Sequence, residues 1–176
     1  MNIKGFLNKI LTDFPEIKTW QEHEETIGEL LNEYNVPFVA SPNGTQRYPD
    51  FRITVNGVDY DLEAKTSKGG VPMYNDSIPH QDGIYLFTNM KNFETTIYNG
   101  SDVISKEKSD EYRKLKEILL GMCKENEKTI PIEDDLGNVG CRFRLFIEHK
   151  KFNLFKNPKR KDIEDRIVKE LTNEMV

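Results

Sequence analysis

Cysteine is scarce in this chain. Only Cys123 and Cys141 occur among 176 residues, with no Cys-x-x-Cys pair and no Cys/His spacing. A zinc site is therefore not expected, and two reduced, partly buried thiols are. A chain this long can bury a core without covalent staples. Long apolar runs are lacking as well: none approaches the roughly 20 residues of a membrane span. The opening MNIKGFLNKILTDF is apolar at helical spacing. It has no sustained apolar core and no small-residue cleavage site, so it predicts a first helix and not a signal peptide. A cytoplasmic protein without a membrane partner is the expectation. Repeats, low-complexity tracts and linkers are absent too, which predicts one domain over residues 1–176.

Charge of one sign is in only slight excess. The chain holds 25 Lys and Arg against 30 Asp and Glu, a net −5, which argues against indiscriminate coating of nucleic acid. The charge is unevenly placed. Residues 142–161 carry eight Lys/Arg and one acid, Glu148, a local +7 on a body of −12. Such a segment is either a footprint for phosphate or an ordinary solvated surface.

Periodicity orders the elements. Glu22 to Tyr34 reads as an amphipathic helix with Ile27, Leu30, Leu31 and Tyr34 inward, and Val36 to Val39 as a short extended piece. Ser41 to Tyr48 has loop chemistry. Residues 66–82, with two Gly and two Pro, predict a long loop. Ile84 to Phe87 predicts a buried strand, and Glu94 to Tyr98 another. Ser109 is expected to cap a helix to about Cys123, with Tyr112, Leu115, Ile118, Leu119 and Met122 inward. Arg142 to Ile147 alternates as a strand, and Asp162 to about Met175 predicts a last helix striped by Ile163, Ile167 and Leu171. The expected class is α/β (α+β), a central mixed sheet flanked by helices.

The chemistry concentrates in RYPDFRITVNGVDYDLEAK, Arg47 to Lys65. Asn56-Gly57 is a strong two-residue hairpin turn. Pairing about it sets Val55 opposite Val58, Ile53 opposite Tyr60 and Phe51 opposite Leu62. Asp50 then faces Glu63. Residues two apart in a strand share a face, so Asp61, Glu63 and Lys65 project together, with Leu62 and Ala64 opposite. Like charges so placed repel. They are tolerable around a hard divalent cation, and Mg²⁺ is held through one or two carboxylates, waters and substrate phosphates. Lys65 is a point charge suited to a phosphate or to the attacking water. This is a donor set for phosphodiester hydrolysis. The inward stripe of the upstream helix extrapolates back to His23 and Glu24, while Glu25, Glu29 and Asn32 fall outside. Glu24 is a candidate third acid, or a first-turn Glu favouring the helix dipole. His23 is expected at the edge of the core.

Pro49-Asp50 followed by Glu63-Ala64-Lys65 across a hairpin, after a helix carrying an acid, resembles the PD-(D/E)xK nuclease superfamily. The resemblance covers about Glu22 to Phe87. The stretch GGVPMYNDSIP is similar to a segment of small type II restriction endonucleases. What the resemblance implies is a restriction-endonuclease-like core at about residues 20–100, completed by a C-terminal strand and helix at 141–176. It also implies Mg²⁺ dependence (with Mn²⁺ able to substitute) and cleavage of double-stranded DNA. By position, Asp50 and Glu63 match the metal-binding acids, Lys65 the catalytic lysine and Glu24 the helical acid. The Ala64 carbonyl matches a backbone metal ligand. Glu25 would fit a shift of one, and Asp61 is an extra acid able to compete.

Several residues are placed to meet DNA. Gln46 and Arg47 precede Asp50 and can fork onto bases or phosphate. Lys68 opens the next loop, where Tyr74, Asn75, Asp76, His80 and Gln81 form a cluster suited to direct readout. Lys150, Lys151, Lys156, Lys159, Arg160 and Lys161 would track phosphates. The expectation is a site-specific endonuclease of restriction type, working as a homodimer on a palindromic site. The alternatives are a structure-specific nuclease, such as a Holliday-junction resolvase or repair nuclease, and a DNA-binding module without catalysis.

Overall fold

The structure, a computed structural model, describes residues 1–75, 78–129, 133–134, 137–138, 146–148 and 153–174, with side chains for 1–74, 78–125 and 153–174. Two helices open the chain. Helix α1 (Ile3–Thr12) is capped by Asn2, whose side chain accepts the Gly5 N–H at 2.9 Å. Helix α2 (Trp20–Glu33) is capped by Thr19, which accepts the Glu22 N–H at 3.1 Å. A side-chain acceptor satisfies one of the N–H groups that a helix start leaves without a partner. Apolar residues at helical spacing bury one face of each: Ile3, Phe6, Leu7 and Ile10 from α1, and Ile27, Leu30 and Leu31 from α2. Each fully buried side chain of this kind contributes about 1.5–3 kcal/mol relative to exposure.

Strands β1 (Phe38–Ala40), β2 (Phe51–Val55), β3 (Val58–Ser67), β5 (Ile84–Asn89) and β6 (Glu94–Asn99) form one five-stranded mixed sheet in the order β1-β2-β3-β5-β6. The β2–β3 hairpin has the expected register, from Val55 opposite Val58 to Phe51 opposite Leu62. Asn56 and Gly57 close it with φ of 52° and 80°, the left-handed region that a two-residue turn of this kind requires. Strands β3 and β5 run parallel; the other neighbours are antiparallel. The expected class, a mixed sheet flanked by helices, is what the structure has. β5 is buried along its whole length, as a central strand covered on both faces should be.

Each face has its own core. On one, Leu62, Ala64, Ile84, Leu86 and Ile97 pack with the apolar faces of α1, α2 and α5 (Arg160–Thr172). On the other, Tyr85, Phe87 and Tyr98 pack with Tyr74 and Leu154. The second core corrects the expectation of a loop at 66–82. β3 runs on to Ser67, and a further strand, β4 (Met73–Asn75), lies inside that segment. A parallel pair needs a long crossover between its strands. Here the chain between Ser67 and Ile84 supplies it, and of its described residues Tyr74 is buried on the second face, where its hydroxyl meets that of Tyr98 at 2.8 Å.

Two more corrections concern the helices. Ser109 does not cap a helix. It lies inside α4 (Lys106–Thr129), fully buried after Gly100–Val103 (α3), and the backbone turns into α4 at Ser105. The apolar stripe of α4 is not inward: Tyr112, Leu115, Ile118 and Met122 are exposed, Ile118 at 61%. Amphipathic spacing says that a helix has an apolar face, not that the chain covers it. Helix α5 does bury its stripe, with Ile167 and Leu171 against the sheet and Ile163 partly covered. That stripe is occupied within the chain.

Short strands β7 (Glu133–Asp134) and β8 (Gly137–Asn138) pair with each other, and β9 (Phe146–Glu148) pairs antiparallel with β4. Of the strand expected at Arg142 to Ile147, only its end is described, within β9. Cys141, Asp76, Lys150, Lys151 and Met175 lie outside the described residues, and Asn75 is described only as a β4 residue.

Candidate functional site

β2 begins only at Phe51 while β3 continues to Ser67, so Asp50, just ahead of β2, lies beside the middle of β3. Its carboxylate accepts the Ala64 N–H at 2.8 Å, and its own N–H donates to Glu63 Oε2 at 3.2 Å. Lys65 Nζ donates to the other oxygen, Glu63 Oε1, at 2.5 Å. In a strand the N–H and C=O of one residue point to the same side, so the Ala64 carbonyl also lies on the Asp50 side. The hairpin register thus brings Asp50, Glu63, Ala64 and Lys65 together.

Charge ties Glu24 to the same cluster. Burial, then Asp50, then more weakly Glu63, raise its carboxyl to about 7, against an opposing pull from Lys65. Burial and then Glu63 raise Asp50 to about 6, although the Ala64 N–H and Lys65 favour its ionised form. Glu25 is exposed, so of the two helix acids it is Glu24 that adjoins the site. Its neighbour His23 is almost wholly buried. Its ring meets Thr88 Oγ1 at 2.8 Å and the edge of Phe14. Burial, aided by Lys65, pushes the imidazole down to about 3, so it is neutral. It is a core histidine. Asp61 is drawn off by Arg52, directly opposite it, at 2.7 Å.

Among the described residues no three His, Cys, Asp or Glu side chains form a ready cage for a metal ion. Mg²⁺ does not require one, since waters and substrate phosphates complete its shell. Three carboxylates share this partly buried site with one lysine, and two of them are pushed towards protonation, first by burial and then by their mutual repulsion. A divalent cation relieves that repulsion, so the donor set fits Mg²⁺, with Asp50, Glu63, the Ala64 carbonyl and Glu24 as the groups within the cluster.

The residues expected to meet DNA separate into three groups. Gln46, Arg47, Lys68, His80, Lys156 and Lys159 are exposed. Tyr74, Gln81 and Arg160 bond within the fold, and for the buried Tyr74 this corrects its expected role. Tyr74 is core, Gln81 donates to the Ile104 carbonyl at 3.1 Å, and Arg160 binds Glu164 at 2.7 Å and the Thr95 carbonyl at 3.0 Å while lying over the Phe155 ring. Lys161 is exposed but paired with Asp165 at 3.0 Å, a surface contact of little strength.

Sequence reasoning did not single out Lys18, Lys91 or Tyr48. Lys18 and Lys91 join Lys68 around a cavity of about 390 Å³; they are too far apart in the chain for spacing to reveal it. Tyr48 adjoins Pro49-Asp50 and stacks on His80. No protein-family model matches the chain, and no curated protein or solved structure matches it either.

Proposed function

We propose that the chain is a Mg²⁺-dependent endonuclease that hydrolyses phosphodiester bonds of double-stranded DNA, in the manner of type II restriction enzymes. The observation that carries the reading is the convergence of Asp50, Glu63 and Lys65 at the open side of β3, with Glu24 in the same electrostatic cluster. The hairpin next to a parallel strand in a mixed sheet supports a restriction-endonuclease-like core. Bound Mg²⁺ would supply neutralisation of the phosphate charge and a more acidic water. Lys65 would bind a phosphate oxygen or the attacking water, and Glu63 orients its ammonium. Lys18, Lys68 and Lys91 offer positive charge for the strand backbone.

The decisive experiment is cleavage of unmethylated plasmid and phage DNA with Mg²⁺, beside Lys65→Ala. Discrete fragments are expected, with the variant slower by about 10²–10⁴-fold, the usual range for a group that assists proton transfer. Lys65→Ala cutting at the wild-type rate would remove Lys65 from the mechanism.

One observation favours the second reading, a structure-specific nuclease. The crossover expected to read bases has Tyr74 and Gln81 committed to the fold. Resolution of a four-way junction, without fragments from duplex, would select that reading.

A further inference from the structure

Tyr48 and His80 form the best-aligned aromatic contact near the carboxylates. Their rings lie 3.7 Å apart between centroids, at 6° to one another. His80 is exposed and Tyr48 half-buried, so the outer ring of the stack is the imidazole. The stack is held in place from behind. The His80 N–H donates to the Tyr85 hydroxyl at 2.8 Å, and the Gly83 N–H returns to the His80 carbonyl at 3.1 Å. Two glycines let the backbone close up. A Cβ at Gly83 would stand 2.2 Å from the Tyr48 hydroxyl, and one at Gly100 would stand 1.9 Å from the His80 carbonyl. The backbone that carries His80 is thus packed against the start of β5 and the end of β6.

The stack forms one wall of a cleft of about 950 Å³, with Arg52, Asp61, Lys106 and Arg113 also in its lining. That volume lies within the range of pockets that enclose small organic ligands. The cleft adjoins the acidic cluster twice over: Tyr48 is two residues before Asp50, and Asp61 two before Glu63 on the same sheet face. Its chemistry does not suit a phosphate, because five carboxylates and three cations line it. It does suit an uncharged, planar group with hydrogen-bond donors on its rim.

We propose that the His80–Tyr48 stack is a platform for a nucleobase, belonging to the strand whose phosphate lies at Asp50, Glu63 and Lys65. The proposal rests on the nuclease reading for its substrate and goes beyond it. A base inside a duplex has no free face for an added ring, so the platform takes an unpaired or extruded base. Partial burial, and secondarily Arg113, lower the imidazole from its usual 6.5 against an opposing pull from Asp61.

The test places 2-aminopurine in a one-nucleotide single-stranded gap of a DNA duplex and records its fluorescence on titration with the protein in Mg²⁺-free buffer. Wild type should quench the signal. His80→Ala should abolish the quench and weaken binding by about 5–150-fold, the range for one stacked base, while His80→Trp restores both. No quench by wild type, or an equal quench by His80→Ala, overturns the platform. Cleavage with Mg²⁺ is scored in parallel. Cleavage without quenching keeps the nuclease and discards the platform; quenching without cleavage does the reverse.

Discussion

Asp50 lies against a second carboxylate in a partly buried site, and its chemistry there is readable in solution. A carboxyl raised above its unfolded value binds more protons when folded. The stability it confers is complete below the unfolded value, 3.8 for Asp50, and is lost as pH rises through about 6. Glu24 acts in the same sense between 4.5 and about 7. Asp50→Asn should therefore stabilise the metal-free protein at pH 8, by about 1–2 kcal/mol after allowance for solvent screening. The gain should vanish near pH 4 and, if the site holds Mg²⁺ as proposed, shrink at pH 8 with saturating Mg²⁺, which would stabilise the wild type more than the variant. Thermal melts at the two pH values check this; a gain independent of pH would refute the raised Asp50 carboxyl. His23 has the opposite slope: neutral in the fold, it costs stability as pH falls from 6.5 towards 3. The pairing of Asp50 with Glu63 was legible in the sequence because Asn56-Gly57 fixes the register, and every step of two along β3 then has a known face. The partnership of Tyr48 with His80 was not, since no periodicity links a residue before β2 to one before β5.

Elements were legible where their own pattern suffices. α1, α2, the hairpin, β5 and β6 follow from spacing and turn chemistry, whereas β4 does not. Its neighbours Gly69, Gly70, Pro72 and Pro79 give a loop signature, and only the parallel β3–β5 pairing obliges the segment to cross the sheet. The apolar stripe of α4 misled for the complementary reason: pattern carries no information about partners. Helix α5 holds a feature with a measurable cost. Glu164 is buried, and both Arg160 Nε at 2.7 Å and Thr96 Oγ1 at 2.8 Å bond its Oε1. Arg160→Ala leaves that carboxylate without its counter-charge and should cost about 3 kcal/mol by urea unfolding. Arg160→Met with Glu164→Leu should cost much less, because neither partner remains to be left alone. Equal losses in the two variants would mean that packing over Phe155, not charge, is what Arg160 supplies.

At the scale of the molecule, the candidate site is built from parts of unequal permanence. Glu63 and Lys65 sit on β3, between β2 and β5 in the centre of the sheet, and β5 has no exposed residue. Glu24 comes from the first turns of α2, where Trp20 and Gln21 are exposed. Amide hydrogen exchange should separate the two. Leu62 to Lys65 should exchange only through global unfolding, and Gln21 to Glu25 through smaller, cheaper openings. Exchange at one common rate would make the site a single rigid unit. The half of the site that holds the lysine is thus fixed for as long as the protein is folded. On the nuclease reading proposed above, any opening or closing around a bound strand would fall to the start of α2, which carries one acid beside a stationary pair.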